Sequence, residues 1–257
     1  MGKKGDTIIA IIPARFGSTR FPGKALVPIQ DKPMIQWVYE RTCMSRLINR
    51  VIVATDDKRI MNAVTSFGGE SVMTSSSHST GTDRIAEVAQ KLVCDIVVNV
   101  QGDEPLIEAA MIDEAISPLV LDPSVLMATL CKKIEKKEEA FDPNVVKVVF
   151  DRNGFALYFS RAPIPWNRDG WAGKKSFSDL TLDGIMYKHI GLYVYRRDFL
   201  LDYSSMRQTT LEAAEKLEQL RVLEHGGRIK VTETEHESFG VDIPDDLSKI
   251  LQRLKES

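Results

Sequence analysis

The stretch TIIAIIPARFGSTRFPGKAL, residues 7–26, contains the two signals that decide the fold of this chain. Its first part, TIIAII at residues 7–12, is a continuous apolar run, which is typical of a strand buried on both faces of a sheet. Its second part changes abruptly to glycine, proline and three cations, which indicates a loop. We therefore predict a buried strand whose carboxyl end opens into a basic loop.

Four further short runs that favour strands follow along the first half of the chain. They are RVIVAT (50–55), ESVMT (70–74), DIVVNVQ (95–101) and VLMATL (125–130). Helix-compatible segments separate them, which predicts an α/β fold with a parallel sheet between two helical layers. Ligands of such sheets bind at the carboxyl ends of the strands, so we expect the loops after residues 12, 55, 74 and 101 to share one edge.

The pattern changes near residue 145, where strand and loop segments replace the regular alternation. The segment VVKVVFDRNGFALYFS predicts a hairpin that turns at DRNG, and HIGLYVY predicts a strand at residues 189–195. We predict a single domain, residues 1–257, with an inserted lobe at about 145–205. A long helix is expected over residues 209–227, which end in a pair of glycines.

Composition excludes several classes of function. The net charge is −2 over 257 residues, so no overall positive field indicates binding to nucleic acid or to an anionic membrane. Cys43, Cys94 and Cys131 are widely spaced, which indicates reduced thiols. The apolar run near the N-terminus is shorter than a signal peptide or a membrane span requires. We therefore expect a soluble, cytoplasmic protein.

The basic loop is the first candidate binding site. Arg15, Arg20 and Lys24 are interleaved with glycines, and residues 13–29 contain no carboxylate that would neutralise them. Glycine lets backbone N–H groups approach a ligand closely, and fixed cations offset phosphoryl charge. The spacing is neither that of a Walker P-loop nor GxGxxG. The loop favours polyphosphate binding, and a solvated basic surface loop is the alternative.

Two carboxylates near strand ends are candidates for a metal site. Asp103 lies in NVQGDEP after a buried run, and Asp242 lies in FGVDIPDD between a short strand and a helix. Mg²⁺ binds a few carboxylate oxygens together with phosphates and water. Asp103 and Asp242 are therefore candidate Mg²⁺ ligands, and a helix cap or turn is the alternative. The residues alone leave open whether the two meet.

The segment HSTGTDR, residues 78–84, predicts a tight turn into a helix. Gly81 permits close backbone approach, Thr80 supplies a hydroxyl and Arg84 falls on the first turn, so the segment favours a pocket for a nucleobase or ribose. In the alternative interpretation Thr82 caps the helix and Arg84 is exposed.

Glu218 and His189 are weaker candidates on the residues alone. On the expected helix Glu218 falls inside the apolar stripe, so it requires a polar partner or a ligand. Arg221 and Glu224 share that face, so an internal ion pair is the alternative. His189 opens a predicted strand, where an edge or core histidine is the simpler interpretation.

An ordered set of motifs resembles one enzyme family. The motifs are IIPARFGSTRFPGKAL, ATDD, GTDR, NVQGDEP, KVVFDRNGFALYFSRAPIPWNRD, YKHIGLYVY, AEKLEQLRVLEHGGRIKV and GVDIPDDL. Together they are similar to those of the 3-deoxy-manno-octulosonate cytidylyltransferases, the CMP-Kdo synthetases of lipopolysaccharide synthesis. Single blocks are shared with other sugar nucleotidyltransferases, whereas the set with ALYFSRAPIPW and LEQLR is specific.

The resemblance implies a fold and a reaction. The fold is a three-layer Rossmann-like nucleotidyltransferase fold with a mainly parallel sheet and a smaller dimerisation lobe. The reaction transfers CMP from CTP to the sugar acid Kdo and releases pyrophosphate, with Mg²⁺ as cofactor and a homodimer as the assembly. A metal that lowers the pKa of the attacking hydroxyl would make a side-chain base unnecessary.

The resemblance also assigns roles to residues. The nucleotide would be bound by Ala14, Arg15, Gly17, Arg20, Lys24, Thr80, Gly81 and Arg84. Asp103 and Asp242 would hold Mg²⁺, and with Arg15 and Lys24 they form the catalytic set. The sugar acid would be surrounded by Gln101, Arg161, His189, Tyr193, Glu218 and Gln219. Arg161 is the expected partner of its carboxylate, because a planar guanidinium binds carboxylate through two hydrogen bonds.

Four alternatives remain. A related branch activates 8-amino-3,8-dideoxy-manno-octulosonate, and sialic acid cytidylyltransferases act on another 2-keto sugar acid. A non-catalytic nucleotide-binding module would not require both Asp103 and Asp242. A nicotinamide-dependent oxidoreductase would require GxGxxG after the first strand, and this chain lacks it.

Overall fold

The apolar run at residues 7–12 forms a strand inside the central sheet of the computed structural model of this chain. On one side Ile11 is paired with Ile52 and on the other with Asn99, both in parallel strands. The strand is buried along nearly its whole length, as its composition predicts. The structure describes residues 5–17, 21–173, 180–182 and 184–256.

The described residues form one nine-stranded sheet and a separate two-stranded sheet. The strands are β1 (Ile8–Ala14), β2 (Pro28–Ile29), β3 (Lys32–Pro33), β4 (Arg50–Thr55), β5 (Ser71–Met73), β6 (Ile96–Asn99), β7 (Met127–Lys133), β8 (Lys147–Phe150), β9 (Ala156–Ser160), β10 (Tyr187–Arg196) and β11 (Lys230–Glu233). The helices are α1 (Met34–Cys43), α2 (Lys58–Ser66), α3 (Gly81–Gln90), α4 (Ala109–Leu121), α5 (Lys137–Phe141), α6 (Arg168–Trp171), α7 (Arg197–Ser205), α8 (Thr210–Glu215), α9 (Gln219–Glu224) and α10 (Asp246–Glu256). None of these described helices is long and apolar enough to cross a membrane.

The large sheet is mainly parallel, and the predicted α/β fold class is confirmed. Its main path runs β11-β7-β10-β6-β1-β4-β5. Within this path β10 alone is antiparallel to its neighbours β6 and β7. At its start β10 lies between β8 and β7, where Tyr187 pairs antiparallel with Val148 on one side and with Lys133 on the other.

Alternate residues of β1 build two separate apolar layers, one on each face of the sheet. Ile12 lies in the layer that includes residues of α1, α2 and α4, and Ile11 lies in the layer that includes residues of α3 and α7. The predicted three-layer arrangement is therefore confirmed.

The helix expected at residues 209–227 is interrupted, and that prediction is wrong. Between α8 and α9 the backbone of Lys216 adopts a left-handed conformation, with φ 55°. Arg161 explains the interruption, since its Nε donates to the carbonyl oxygen of Glu215 at 2.7 Å. That carbonyl would otherwise accept from the amide four residues later in a continuous helix. The break moves the segment that follows, including Glu218, away from the predicted helical register.

The predicted hairpin is present as β8 and β9. Asp151 N donates to Phe155 O at 2.8 Å, and Gly154 has a φ of 72°, which a glycine adopts without strain. Lys147, fully buried on β8, donates to the carbonyl oxygens of Asp142, Val145 and Arg161 at 2.7–2.9 Å. These bonds join the hairpin to the preceding loop.

Candidate active site

The loops that follow β1, β5 and β6 meet at the carboxyl edge of the sheet, as predicted. They enclose a cavity of about 370 Å³, called here the first cavity. It is lined by Pro13, Ala14, Arg15, Lys24, Ala25, His78, Ser79, Thr80, Gly81, Arg84, Gln101, Gly102, Asp103, Glu218 and Asp242. The loop after β4 contributes from behind, where Asp56 contacts Arg84.

Asp103 and Asp242 meet at this cavity, which the sequence left open. The Lys24 Nζ lies 2.5 Å from Asp103 Oδ2 and 3.8 Å from Asp242 Oδ1. The backbone supports the approach, since Val241 N donates to the Asp103 carbonyl oxygen at 2.9 Å. Asp246 at the start of α10 accepts from the amide of Asp242 at 3.0 Å, which holds this turn. Two carboxylates and one ammonium group are thereby concentrated at one point.

The donor set at this point fits a magnesium ion. Asp103 and Asp242 offer hard oxygen atoms, and both lie within ion-pair distance of the same Lys24 ammonium group. The described residues contain no cluster of three or more His, Cys, Asp or Glu side chains suited to a metal. Two protein carboxylates completed by phosphate and water oxygens are the arrangement that Mg²⁺ favours in nucleotide sites.

Gly102 allows the loops after β1 and β6 to pack closely. A Cβ atom at this position would lie 2.8 Å from the carbonyl oxygen of Pro13, closer than such atoms approach in proteins. Gly102 directly precedes Asp103, so the absence of a side chain at residue 102 sets the position of the carboxylate at residue 103.

The basic loop is shaped by a second glycine. Gly23 has a φ of 71° and donates its N–H to Phe16 O at 2.9 Å, which closes the loop and directs Lys24 into the cavity. Arg15 also lines the cavity, whereas Gly17 does not. Arg20 lies outside the described residues, so its predicted contact with the nucleotide stays a prediction.

The turn before α3 does not have the Thr82 cap and exposed Arg84 of the alternative interpretation. The helix cap is Thr80, whose hydroxyl accepts from Asp83 N at 3.1 Å, rather than Thr82. Arg84 is only 3% exposed and donates to Asp56 Oδ2 at 2.7 Å and to the Thr74 hydroxyl. The alternative of an exposed Arg84 is therefore wrong. Arg84 lines the cavity with its guanidinium already held in place.

A second cavity of about 210 Å³, called here the second cavity, adjoins the first. Gly81, Gln101 and Glu218 line both cavities. The second cavity is lined by Gly81, Thr82, Asn99, Gln101, His189, Tyr193, Tyr195, Tyr203, Lys216, Leu217, Glu218 and Gln219. Five of the six residues predicted to surround the sugar acid are therefore brought together, and Arg161 is the exception.

Arg161 lines neither of the two cavities, so its predicted contact with the sugar carboxylate stays a prediction. Besides its bond to the Glu215 carbonyl, its Nη1 donates to Pro143 O at 2.9 Å and its backbone N–H donates to Glu215 Oε2 at 2.9 Å. Arg161 therefore supports the turn at Lys216, which does line the second cavity.

A register shift between Ile190 and Tyr193 on β10 accompanies the polar wall of the second cavity. Such bulges re-aim side chains, and here His189 and Tyr193 both line the cavity. Gln101 Nε2 donates to the carbonyl oxygen of Gly191 inside the bulge at 3.1 Å. Burial lowers the pKa of His189 to about 3, so its imidazole is neutral at physiological pH.

Glu218 occupies the junction of the two cavities. Its Oε2 accepts from the Thr82 hydroxyl at 2.8 Å, and its carbonyl oxygen accepts from the Tyr203 hydroxyl at 2.7 Å. Burial raises the pKa of the Glu218 carboxyl, which the Thr82 bond partly offsets. The alternative of an ion pair with Arg221 is wrong, because Arg221 pairs with Glu212.

Several lining residues were not predicted from the sequence. His78 and Ser79 follow β5, while Thr82, Tyr195 and Tyr203 come from α3, β10 and α7. Their polarity is common on surfaces, so only the packing of distant segments reveals them. The unpredicted residue Asn99 did give a sequence signal, because an amide ends an otherwise apolar buried run.

The sequence is similar to proteins of one known family. The profile of the Cytidylyltransferase family matches residues 9–232. The 3-deoxy-manno-octulosonate cytidylyltransferase of Geobacter sulfurreducens is 60% identical over 248 residues, covering 96% of this chain and 99% of the relative. The chain belongs to the 3-deoxy-manno-octulosonate cytidylyltransferase family. The enzyme of the same description from Geotalea daltonii is 61% identical, covering 97% and 98% of the two chains.

One solved structure agrees with this family assignment, and a second shares the fold. A CMP:2-keto-3-deoxy-manno-octonic acid synthetase complexed with CTP is 41% identical and superimposes with a TM-score of 0.89, covering 97% of this chain and 99% of that chain. A cytidylyltransferase from Leptospira borgpetersenii is 16% identical with a TM-score of 0.66, covering 98% and 88%, and shows the shared fold alone.

Proposed function

We propose that this protein transfers CMP from CTP to 3-deoxy-D-manno-octulosonate (Kdo), giving CMP-Kdo and pyrophosphate. The observation that carries the proposal is that the two cavities share three lining residues, Gly81, Gln101 and Glu218. One cavity holds the cations and carboxylates suited to a triphosphate, and the other presents polar groups suited to a sugar. The family membership and the CTP-bound neighbouring structure support the same reaction.

In this reaction the anomeric hydroxyl oxygen of Kdo forms a bond to the α-phosphorus of CTP, and the bond from that phosphorus to the pyrophosphate oxygen breaks. Lys24 and Arg15 line the phosphate side, where their charges offset those of the transferring and leaving phosphates. The sugar is oriented from the second cavity. The two cavities thereby bring the reacting atoms together, which supplies much of the rate enhancement.

Glu218 is a candidate to receive the proton of the attacking hydroxyl. Among the described residues it is the carboxylate that lines both cavities. A glutamate with a raised pKa is a better base than an ordinary one. This assignment competes with the expectation that no side-chain base is needed, and the pH dependence of activity decides between them.

We propose Mg²⁺ as the cofactor, held by Asp103 and Asp242. When bound, it would neutralise charge on the phosphate oxygens during transfer. The chemistry of the two carboxylates around Lys24 supports the proposal. Dialysis against a chelator is expected to abolish turnover, and Mg²⁺ is expected to restore it.

We also propose a homodimer formed through the hairpin region. Leu157 on β9 is 64% exposed and Trp166 is 65% exposed, and large exposed apolar side chains on one lobe favour an interaction surface. The boundaries of that lobe, the single-domain organisation and the cytoplasmic location stay predictions.

The experiment that tests the function is pyrophosphate release with CTP and Mg²⁺, with Kdo, 8-amino-Kdo and sialic acid supplied separately. Release with Kdo alone is expected, and it is repeated with each other nucleoside triphosphate to establish the base preference. Preference for the amino sugar would favour the related branch, although the names of the relatives do not support it. No release with any pair would favour a binding module.

A further inference from the structure

Asn99 is a polar residue in an apolar position of the sheet. It ends β6 and is paired through its backbone with Ile11 on one side and Tyr193 on the other. Its side chain must therefore project from one face of the sheet. Val97, two residues earlier, lies in the apolar layer that includes α3 and α7, so Asn99 projects toward the same layer.

Within the part of the chain that the structure describes, the side-chain oxygen of Asn99 has no hydrogen-bond partner there. The residue is 3% exposed, and its Oδ1 has no hydrogen-bond partner among the described residues. Buried side-chain amides are nearly always hydrogen-bonded, because an unpaired acceptor loses its bond to water without compensation. Asn99 lines the second cavity, so an occupant of that cavity is placed to supply the missing donor.

Two neighbouring hydroxyl groups, those of Thr82 and Tyr203, already have partners. Thr82 donates to the side chain of Glu218, and Tyr203 donates to its carbonyl oxygen. Burial raises the pKa of Tyr193 and Tyr195 well above the ordinary value, so neither hydroxyl ionises at physiological pH. Of the buried side-chain atoms that have no hydrogen-bond partner among the described residues, Asn99 Oδ1 is the one that belongs to the lining of this cavity.

We propose that Asn99 determines sugar specificity by accepting a hydrogen bond at Oδ1 from one hydroxyl group of the sugar acid. The inference rests on the proposed function and deepens it. A site built to bond a hydroxyl rejects an analogue that lacks it, since the buried amide then stays unpaired. Asn99 therefore selects sugar acids that carry a hydroxyl at that carbon.

The first test compares Asn99→Leu with a control variant, Thr42→Val. Leucine has a similar size and removes the amide, while Thr42 is a fully buried polar residue of α1 that bonds Val38 O at 2.7 Å. The Michaelis constants for Kdo and CTP are measured by pyrophosphate release, and the urea midpoint is measured without ligand. N99L is expected to raise the constant for Kdo on the order of tenfold and to leave that for CTP unchanged.

The urea midpoint separates a binding role from a structural one. N99L is expected to unfold at the same or a higher urea concentration, because it removes an unsatisfied group. T42V is expected to leave both Michaelis constants unchanged. It is expected to lower the urea midpoint, because it removes the hydrogen bond from the Thr42 hydroxyl to the Val38 carbonyl oxygen. A lowered midpoint in N99L with an equal rise in both constants would show a structural role and overturn the proposal.

The second test uses Kdo analogues that each lack one hydroxyl. The analogue that lacks the hydroxyl bonded by Asn99 is expected to have a raised Michaelis constant with the parent chain and no further rise with N99L. For the other analogues the Michaelis constant is expected to rise in N99L by the same factor as for Kdo. Equal losses with every analogue, or an unchanged constant for Kdo, overturn the proposal. If N99L does not fold, Asn99→Ala carries the same comparison. No turnover by the parent chain overturns the proposed function, whereas an active parent with an unaffected N99L overturns this inference alone.

Discussion

Replacement of Gly102 by alanine tests whether close packing of two loops sets the position of Asp103. The added Cβ would lie 2.8 Å from the Pro13 carbonyl oxygen, and ordinary contacts begin at 3.4 Å. The loop after β6 must therefore move by about 0.6 Å. Overpacking of this kind typically costs ~1–3 kcal/mol of stability. Displacement of a catalytic group by up to an ångström lowers turnover roughly 10- to 100-fold.

Gly240→Ala is the matched control, because a Cβ at Gly240 meets nothing within 4 Å although this residue lies just before Asp242. Turnover is measured by pyrophosphate release at saturating CTP and Kdo, and stability by urea unfolding. G102A is expected to remain folded with reduced kcat, while G240A keeps normal kcat. Normal kcat in G102A, or an equal loss in both variants, would refute the argument that Gly102 positions Asp103.

The other predictions concern the carboxylates and the assembly. Asp103→Asn and Asp242→Asn are each expected to keep the fold and lose most turnover, and near-normal activity of both in a pyrophosphate assay would contradict the metal assignment. If Glu218 is the base, kcat/KM falls as the pH decreases through its pKa, which burial raises above that of an ordinary glutamate. Glu218→Gln is then expected to remove this acidic limb from the pH profile, and an unchanged limb would favour a reaction without a side-chain base. If the parent chain forms the proposed homodimer in analytical ultracentrifugation, Leu157→Glu is expected to convert it to monomers, because a charge cannot be buried unpaired at an apolar interface; a dimeric variant would place the interface elsewhere.

Much of the fold was accessible from local sequence. The continuous apolar run before Pro13 predicted a strand buried on both faces, and the DRNG turn predicted a hairpin, because both signals depend on neighbouring residues. The interrupted helix was not accessible in this way. Residues 209–227 have helical periodicity, but Arg161 captures the Glu215 carbonyl from a distant strand end. Local pattern carries no information on such a partner.

For the candidate site too, some features could be predicted from local sequence and others could not. The sequence by itself determined the edge of the sheet at which the site lies and the chemistry of its basic loop, since composition and the alternation of strand and helix segments can be read along the chain. Only the tertiary structure decided that Asp103 and Asp242 meet at Lys24, and that Asn99 faces a cavity without a partner. The meeting of Asp103 with Asp242 joins residues 139 positions apart. Distances between such residues depend on how layers pack, which a linear pattern does not record.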